Sequence, residues 1–211
     1  LQISEIVGEE HIGWRYDPIF IDDKYTVKYH LEQFEGISAA LQGYTKNCVI
    51  SFLDLYQKVK RNFPEVKMVS KEQRKYLGER MTRIATEHKM ILRPCGEGTE
   101  LAAFGADCNG CMTQQIYENA IHMSLDMPKK QFLRKECACY LGNDIGAYNS
   151  CPHMCKYCYA NYDEKSVRLN RINHNPKSAF LIGDDMPNDK VHKAVQKSWI
   201  NGQISLNGFF I

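Results

Sequence analysis

Residues 149–161 read NSCPHMCKYCYAN and place three thiols, Cys151, Cys155 and Cys158, within eight residues. Disulfides consume cysteines in pairs, and this is a trio. Three thiolates in a C-x3-C-x2-C loop suit an iron–sulfur cluster: they can ligate three of its irons and leave the fourth open to a small molecule. Zinc would accept the same trio with a fourth ligand from His153 or Cys139. Common structural zinc sites, however, pair two short knuckles across a longer loop, which this run does not do. The blandest reading is three unliganded buried thiols, which sits poorly with a proline and a histidine among them.

The chain holds nine cysteines, and eight of them follow residue 94. Cys95, Cys111, Cys137 and Cys139 form a second possible metal set, with Cys108 as a spare. Cys108 and Cys111 make a C-x2-C knuckle, and Cys137 and Cys139 make C-x-C. Four thiolates suit a closed site, either zinc or an auxiliary cluster; the alternative is reduced core cysteines. Cys48, inside an apolar run, is expected in the core.

Other polar residues are candidates by position. Arg15 and Asp17 alternate with aromatic residues on a strand expected to be buried, where charge must be paired. They either pair with each other or face a site in which Arg15 holds a carboxylate. Asp144 and Asn149 flank the cysteine loop and could bind a ribose or the rest of a cofactor; turn and strand-end hydrogen bonding is the alternative. His30 and His88 are expected to be packing or surface residues. The basic stretch around Lys129, Lys130, Arg134 and Lys135 is expected to be a solvated connector.

These residues must be positioned by a chain of 211 residues, long enough to bury a core without metal or disulfide staples. Its formal net charge of +2 gives no bulk attraction to nucleic acid. No run of apolar residues is long enough to span a membrane, and the polar start LQISEIVGEEH is not a signal peptide. An odd number of clustered thiols without an export signal points to a reducing compartment, the cytoplasm. Residues 1–7 read as the end of a helix stopped by Gly8, so more sequence is expected upstream.

Periodicity predicts a strand over 12–20 and a helix capped by Thr26, with Val27, Leu31, Phe34, Ile37 and Leu41 inward and Gly43 as its stop. A strand buried on both faces follows at 48–53. Ser70 and Gln73 form a capping box for a second long helix, with Leu77, Met81, Ile84 and His88 inward. A strand at 90–95 ends at Pro94 and Gly96. Residues 96–111 read as a glycine-rich loop with one short turn. Thr113 caps a helix to about Ser124, with Ile116, Ala120 and Met123 inward, and 144–149 reads as a last short strand. Strand–helix alternation implies α/β architecture with parallel strands, and chemistry at the strands' C-terminal ends.

The cysteine loop resembles that of the radical S-adenosylmethionine (SAM) enzymes, and CKYCYAN is similar, more distantly, to the spore photoproduct lyase branch. Over nearly the whole chain, WRYDPI (14–19), VISFLDLY (49–56) and CACYLGNDIGAYNSCPHMCKYCYAN (137–161) resemble a radical-SAM-like family catalogued as domain of unknown function 1848, of which this chain looks like the C-terminal two-thirds. The resemblance implies a partial or permuted parallel (βα) barrel of the radical SAM type. Residues 1–96 would supply its βα units and 97–211 a cysteine-rich segment of the same domain. It implies a 4Fe-4S cluster on Cys151, Cys155 and Cys158, with S-adenosylmethionine bound near Tyr157, Asp144, Asn149, Arg15 and Asp17. It implies an enzyme of unknown substrate served by an electron donor such as flavodoxin or ferredoxin, with nucleic acid not expected. Two non-enzymatic alternatives are a zinc-stabilised binding protein and an iron–sulfur electron carrier.

Overall fold

The computed structural model describes residues 2–128, 139–140, 146–190, 192–193, 195 and 197–202. Cys137, Asp144 and the basic residues Lys129, Lys130, Arg134 and Lys135 lie outside the described residues. The chain forms two compact units: residues 1–52, 69–141 and 197–211 make the first, and 53–68 with 142–196 make the second.

The first unit is built on three parallel strands in the order β1-β2-β3: β1 (Gly13–Ile19), β2 (Asn47–Phe52) and β3 (Ile91–Pro94). Arg15 pairs in register with Val49, and Val49 with Arg93. Each connection between neighbouring strands contains a long helix, as parallel pairing requires. Helix α2 (Val27–Leu41) starts where the Thr26 side chain accepts a hydrogen bond from Tyr29 N–H. Helix α4 (Lys71–Glu87) starts at a reciprocal capping box between Ser70 and Gln73. The short helix α1 (Gln2–Val7) precedes β1.

The core lies where the inward stripes of α2 and α4 meet the sheet. Phe34, Ile50, Leu77, Met81 and Leu92 are almost wholly buried. Trp14 stacks on Phe34 with ring centroids 4.9 Å apart. Cys48 is fully buried in this cluster, as its apolar surroundings implied. His30 is buried and joined to the Tyr16 hydroxyl at 2.8 Å and the Phe20 carbonyl at 2.7 Å, a packing role.

The structure differs from the sequence expectations at three points. β1 is not buried on both faces: Arg15 and Asp17 lie on its more open face, where their side chains are only partly covered and pair with each other. Helix α5 (Gln114–Ile121) forms at the expected Thr113 cap but buries no residue, and Met123 is 52% exposed. The strand expected over 144–149 is not regular in its described part, since Tyr148 and Asn149 form a turn. The three-stranded sheet establishes mixed α/β architecture.

The second unit holds two short helices that periodicity does not reveal. They are α3 (Gln57–Asn62), which buries Val59, and α6 (Glu164–Ile172), which buries Val167. Asp163 caps α6 by accepting from Ser166 N–H at 2.7 Å.

Candidate functional site

The cysteine loop belongs to the second unit and is closed at its base by two asparagines. Asn149 N–H donates to the Ala160 carbonyl at 3.1 Å, and the Asn149 side-chain oxygen accepts from Tyr162 N–H. Asn149 has φ 58, a left-handed conformation that asparagine tolerates better than most residues. Asn170 of α6 donates to the Asn149 carbonyl at 3.2 Å. Asn161, only 5% exposed, donates from Nδ2 to the Cys151 carbonyl at 2.7 Å. Asn149 therefore shapes the loop.

Within the loop, Cys158 N–H donates to the Cys155 carbonyl at 2.9 Å, so the two cysteines stand at the ends of one tight turn. Met154, with φ 50, turns the chain just before it. The Cys151 and Cys155 thiols are exposed, and Cys158 and Tyr157 are half-buried.

Helix α3 places one basic side chain, Lys58, on this loop. Lys58 donates to the Tyr159 carbonyl at 3.0 Å and sits 4.2 Å from the centre of the Tyr162 ring. Burial lowers the Lys58 pKa, and the nearby Cys158 side chain opposes that shift. Lys156 pairs with Glu65 at 3.0 Å and lies over the Phe63 ring. Neither Lys58 nor Asn161 is singled out by sequence reasoning. Asn161 ends the quoted run but has no ligand character, and Lys58 lies in a helix with only one buried residue.

The donor set suits an iron–sulfur cluster in its chemistry. Three thiols share one loop, two of the three cysteines are exposed, and Lys58 reaches the same loop. One buried acceptor, Asn161 Oδ1, has no hydrogen-bond partner at the loop's base. The sulfurs are not gathered as they stand: among the described residues, no group of three or more His, Cys, Asp or Glu is placed so that it could hold a metal ion. Thiolate ligands commonly gather only as the metal binds.

The first unit carries the other thiols near the C-terminal ends of its strands. Cys95 directly follows β3, where its N–H donates to the Ile50 carbonyl at 2.8 Å. Cys111 and Cys139 lie with their sulfurs 3.3 Å apart, and Cys111 N–H donates to Cys139 Sγ at 3.2 Å. Cys95 lies close enough to Cys111 and Arg15 for both to act on its thiol. Three of the four residues of the predicted second set therefore meet. Cys108 instead packs against the hydrophobic core, so the C-x2-C pattern does not act as one knuckle.

Arg15 and Asp17, expected near a cofactor carboxylate, pair with each other at 2.6 Å, and Arg15 Nη1 lies 3.8 Å from Cys111 Sγ. Ser51 donates to Asp17 at 3.4 Å. Burial works to lower the Arg15 pKa, but Cys95 and Asp17 outweigh it and keep the guanidinium charged. The Cys95 thiol is held below its ordinary pKa, first by its hydrogen bond with Cys111 and then by Arg15. Cys111 is pushed up by Cys139 and Cys95.

The sequence profile described as Domain of unknown function (DUF1848) matches residues 1–160, and the chain belongs to that family. The match includes both cysteine sets. No curated protein and no solved structure matches the chain.

Proposed function

We propose that this DUF1848 protein is a radical S-adenosylmethionine enzyme whose cluster-binding residues are Cys151, Cys155 and Cys158. The observation that carries the reading is the loop itself: a C-x3-C-x2-C trio, pinned at its base by Asn149 and Asn161, with two of its cysteines exposed. The chemistry a 4Fe-4S cluster supplies there when bound is one-electron cleavage of S-adenosylmethionine into methionine and a 5′-deoxyadenosyl radical, which takes a hydrogen atom from substrate.

The protein's own residues have narrower tasks. Asn161 and Asn149 hold the loop's two ends together, so the three thiols stay on one short span. Lys58 presents a cation to Cys158, which offsets the negative charge that three thiolates and a reduced cluster accumulate. Tyr157, directly before the third cysteine, is the side chain for an adenine ring to pack on. Arg15 and Asp17 serve the first unit's thiols and each other; a part in holding S-adenosylmethionine is not required of them. Among the described residues no helix is long and apolar enough to cross a membrane. A reductant of the flavodoxin or ferredoxin class is the expected partner, and the cytoplasm the expected compartment.

Anaerobic purification, iron and sulfide reconstitution, and incubation with dithionite and S-adenosylmethionine test the reading. The expected result is about four irons per chain, as one cubane requires, together with 5′-deoxyadenosine. Cys151→Ser, Cys155→Ser and Cys158→Ser each remove both. Zinc in place of iron establishes the metal-stabilised binding protein instead. Iron without S-adenosylmethionine cleavage establishes an electron carrier.

A further inference from the structure

One face of the first unit's sheet meets α2 and α4, and the other carries a buried charge. Leu92 belongs to the core, so the next residue of β3, Arg93, projects from the opposite face. Arg93 is only 7% exposed. A buried guanidinium must be paired, and two side chains meet it. Its Nε donates to Asp107 at 3.0 Å, and its Nη1 donates to the Asn47 side-chain oxygen. Among the described residues, its Nη2 has no hydrogen-bond partner. Asp107 is tied to the same strand, since its N–H donates to the Leu92 carbonyl at 2.9 Å.

Arg93 and Asp107 line a cavity of about 440 Å³ that also takes in the start of α5. That size lies within the roughly 300–1,000 Å³ of small-molecule sites. Such sites are mostly walled by apolar side chains, whereas four residues lining this one are Asn or Gln. A polar wall selects a polar ligand.

The hydrogen bonds these amides already make leave capacity of both kinds. Gln115 Nε2 donates to Asn119 Oδ1 at 2.7 Å, which leaves the Gln115 oxygen and the Asn119 nitrogen. Gln114 Nε2 donates to Glu118 and to the Leu125 carbonyl, which leaves its oxygen. Asn109 Nδ2 donates to Asp107 at 2.9 Å, which leaves its oxygen. Charge is balanced, because the two charged residues of the lining, Arg93 and Asp107, pair with each other. An anion would find the guanidinium already matched by a carboxylate. A hydroxyl, which donates and accepts at once, suits a wall that mixes amide oxygens with N–H groups.

We propose that this cavity binds a small neutral polyhydroxylated molecule, a sugar ring or a cyclic polyol. Its hydroxyls donate to the oxygens of Asn109, Gln114 and Gln115 and accept from Arg93 Nη2 and Asn119 Nδ2. Asp107 and Asn47 hold Arg93 in place beforehand, so little ordering of that side chain is needed on binding. No cysteine lines the cavity, and the site stands whether or not the chain carries a cluster.

The test titrates the full chain with D-glucose, D-galactose, D-ribose and myo-inositol by ligand-observed NMR, with inorganic phosphate and acetate as competitors. The expected result is that one or more of the neutral probes binds with a dissociation constant of about 1 mM or tighter. Phosphate and acetate leave that binding unchanged. Asn119→Asp keeps the acceptor that Gln115 uses but removes the nitrogen, and weakens binding about fivefold or more. Arg93→Lys, which loses the planar fork, weakens it at least as much. Circular dichroism confirms that each variant is folded. If Arg93→Lys unfolds the chain, Asn119→Asp decides, because Asn119 is exposed. Failure of all four probes to bind at that strength overturns the proposal. So does displacement of the bound probe by phosphate or acetate, or binding left unchanged by Asn119→Asp.

Discussion

The two units hold their thiols by different physical means. In the first, Cys95 and Cys111 stand at the rim of a parallel sheet whose other side is a dense apolar core of Phe34, Ile50, Leu77, Met81 and Leu92. Their positions follow from strand register and from the packing of α2 and α4. In the second, Cys151, Cys155 and Cys158 ride on a loop with sparser apolar burial beside it: α3 and α6 each bury a single residue, and Leu53, Phe63 and Val66 are buried around α3. That loop is fixed by hydrogen bonds from asparagine side chains to backbone. A thiol on a packed rim has a defined neighbour before any ligand arrives. A thiol on a hydrogen-bonded loop can still move, which suits ligands that close around a metal.

The comparison breaks most visibly if core truncation disturbs both thiol sets alike. Phe34→Ala, which removes a fully buried ring stacked on Trp14, is expected to destabilise the first unit by about 3–5 kcal/mol. Denaturant unfolding followed by tryptophan fluorescence measures it, and iron bound per chain at low denaturant should stay unchanged.

The complementary change is Asn161→Ala. It removes the hydrogen bond that holds the Cys151 carbonyl and is expected to cost about 1 kcal/mol locally, the usual net contribution of one hydrogen bond. Hydrogen exchange should rise in residues 149–162 and not in β2, and iron affinity should fall.

A smaller effect sharpens the view of the first unit as tightly packed. A Cβ added at Gly78 of α4 would lie 2.5 Å from the Leu101 methyls. Gly78→Ala should therefore lose less than about 1 kcal/mol, because the Leu101 methyls can shift and the better helix propensity offsets part of the strain. In the Gly78→Ala background, Leu101→Ala should cost less than it does alone, a coupling that a double-mutant cycle reads directly.

The smallest effect is pH dependence at His30. Burial lowers its pKa from 6.5, with the Phe20 carbonyl opposing. As pH falls below the ordinary value, the unfolded chain takes up the proton first. This contribution to stability is therefore present at neutral pH, falls from about pH 6.5 down to the depressed folded value, and then levels off. His30→Gln should flatten that part of the stability–pH curve, measured by urea midpoints between about pH 7.5 and pH 5.

Much of the first unit was legible residue by residue. Thr26, Ser70 with Gln73, and Thr113 announce helix starts because their side chains can satisfy orphan N–H groups wherever the chain turns helical. The apolar run 48–53 reads as a doubly covered strand because only such a strand needs apolar residues on consecutive positions. Helices α3 and α6 were not legible. Each is held by one buried valine, and one contact leaves no period to detect. The exposed face of β1 was also hidden, since Arg15 and Asp17 read equally well as paired charges inside a barrel or as an open rim.

The residue types, their spacing and the caps were settled by the sequence alone: a thiol trio in one loop, a second dispersed thiol set, and a strand–helix alternation that forces parallel pairing. These are local properties, fixed by side-chain chemistry and by what neighbouring backbone groups need. Only the tertiary structure decided which distant groups meet. It joined Cys111 to Cys139 across twenty-eight positions, set Cys95 and Arg15 near them, and packed Cys108 against the core. It also brought Lys58 to the cysteine loop, across more than a hundred positions. Such contacts depend on how the core packs and how the chain returns, and spacing along the sequence carries no record of either.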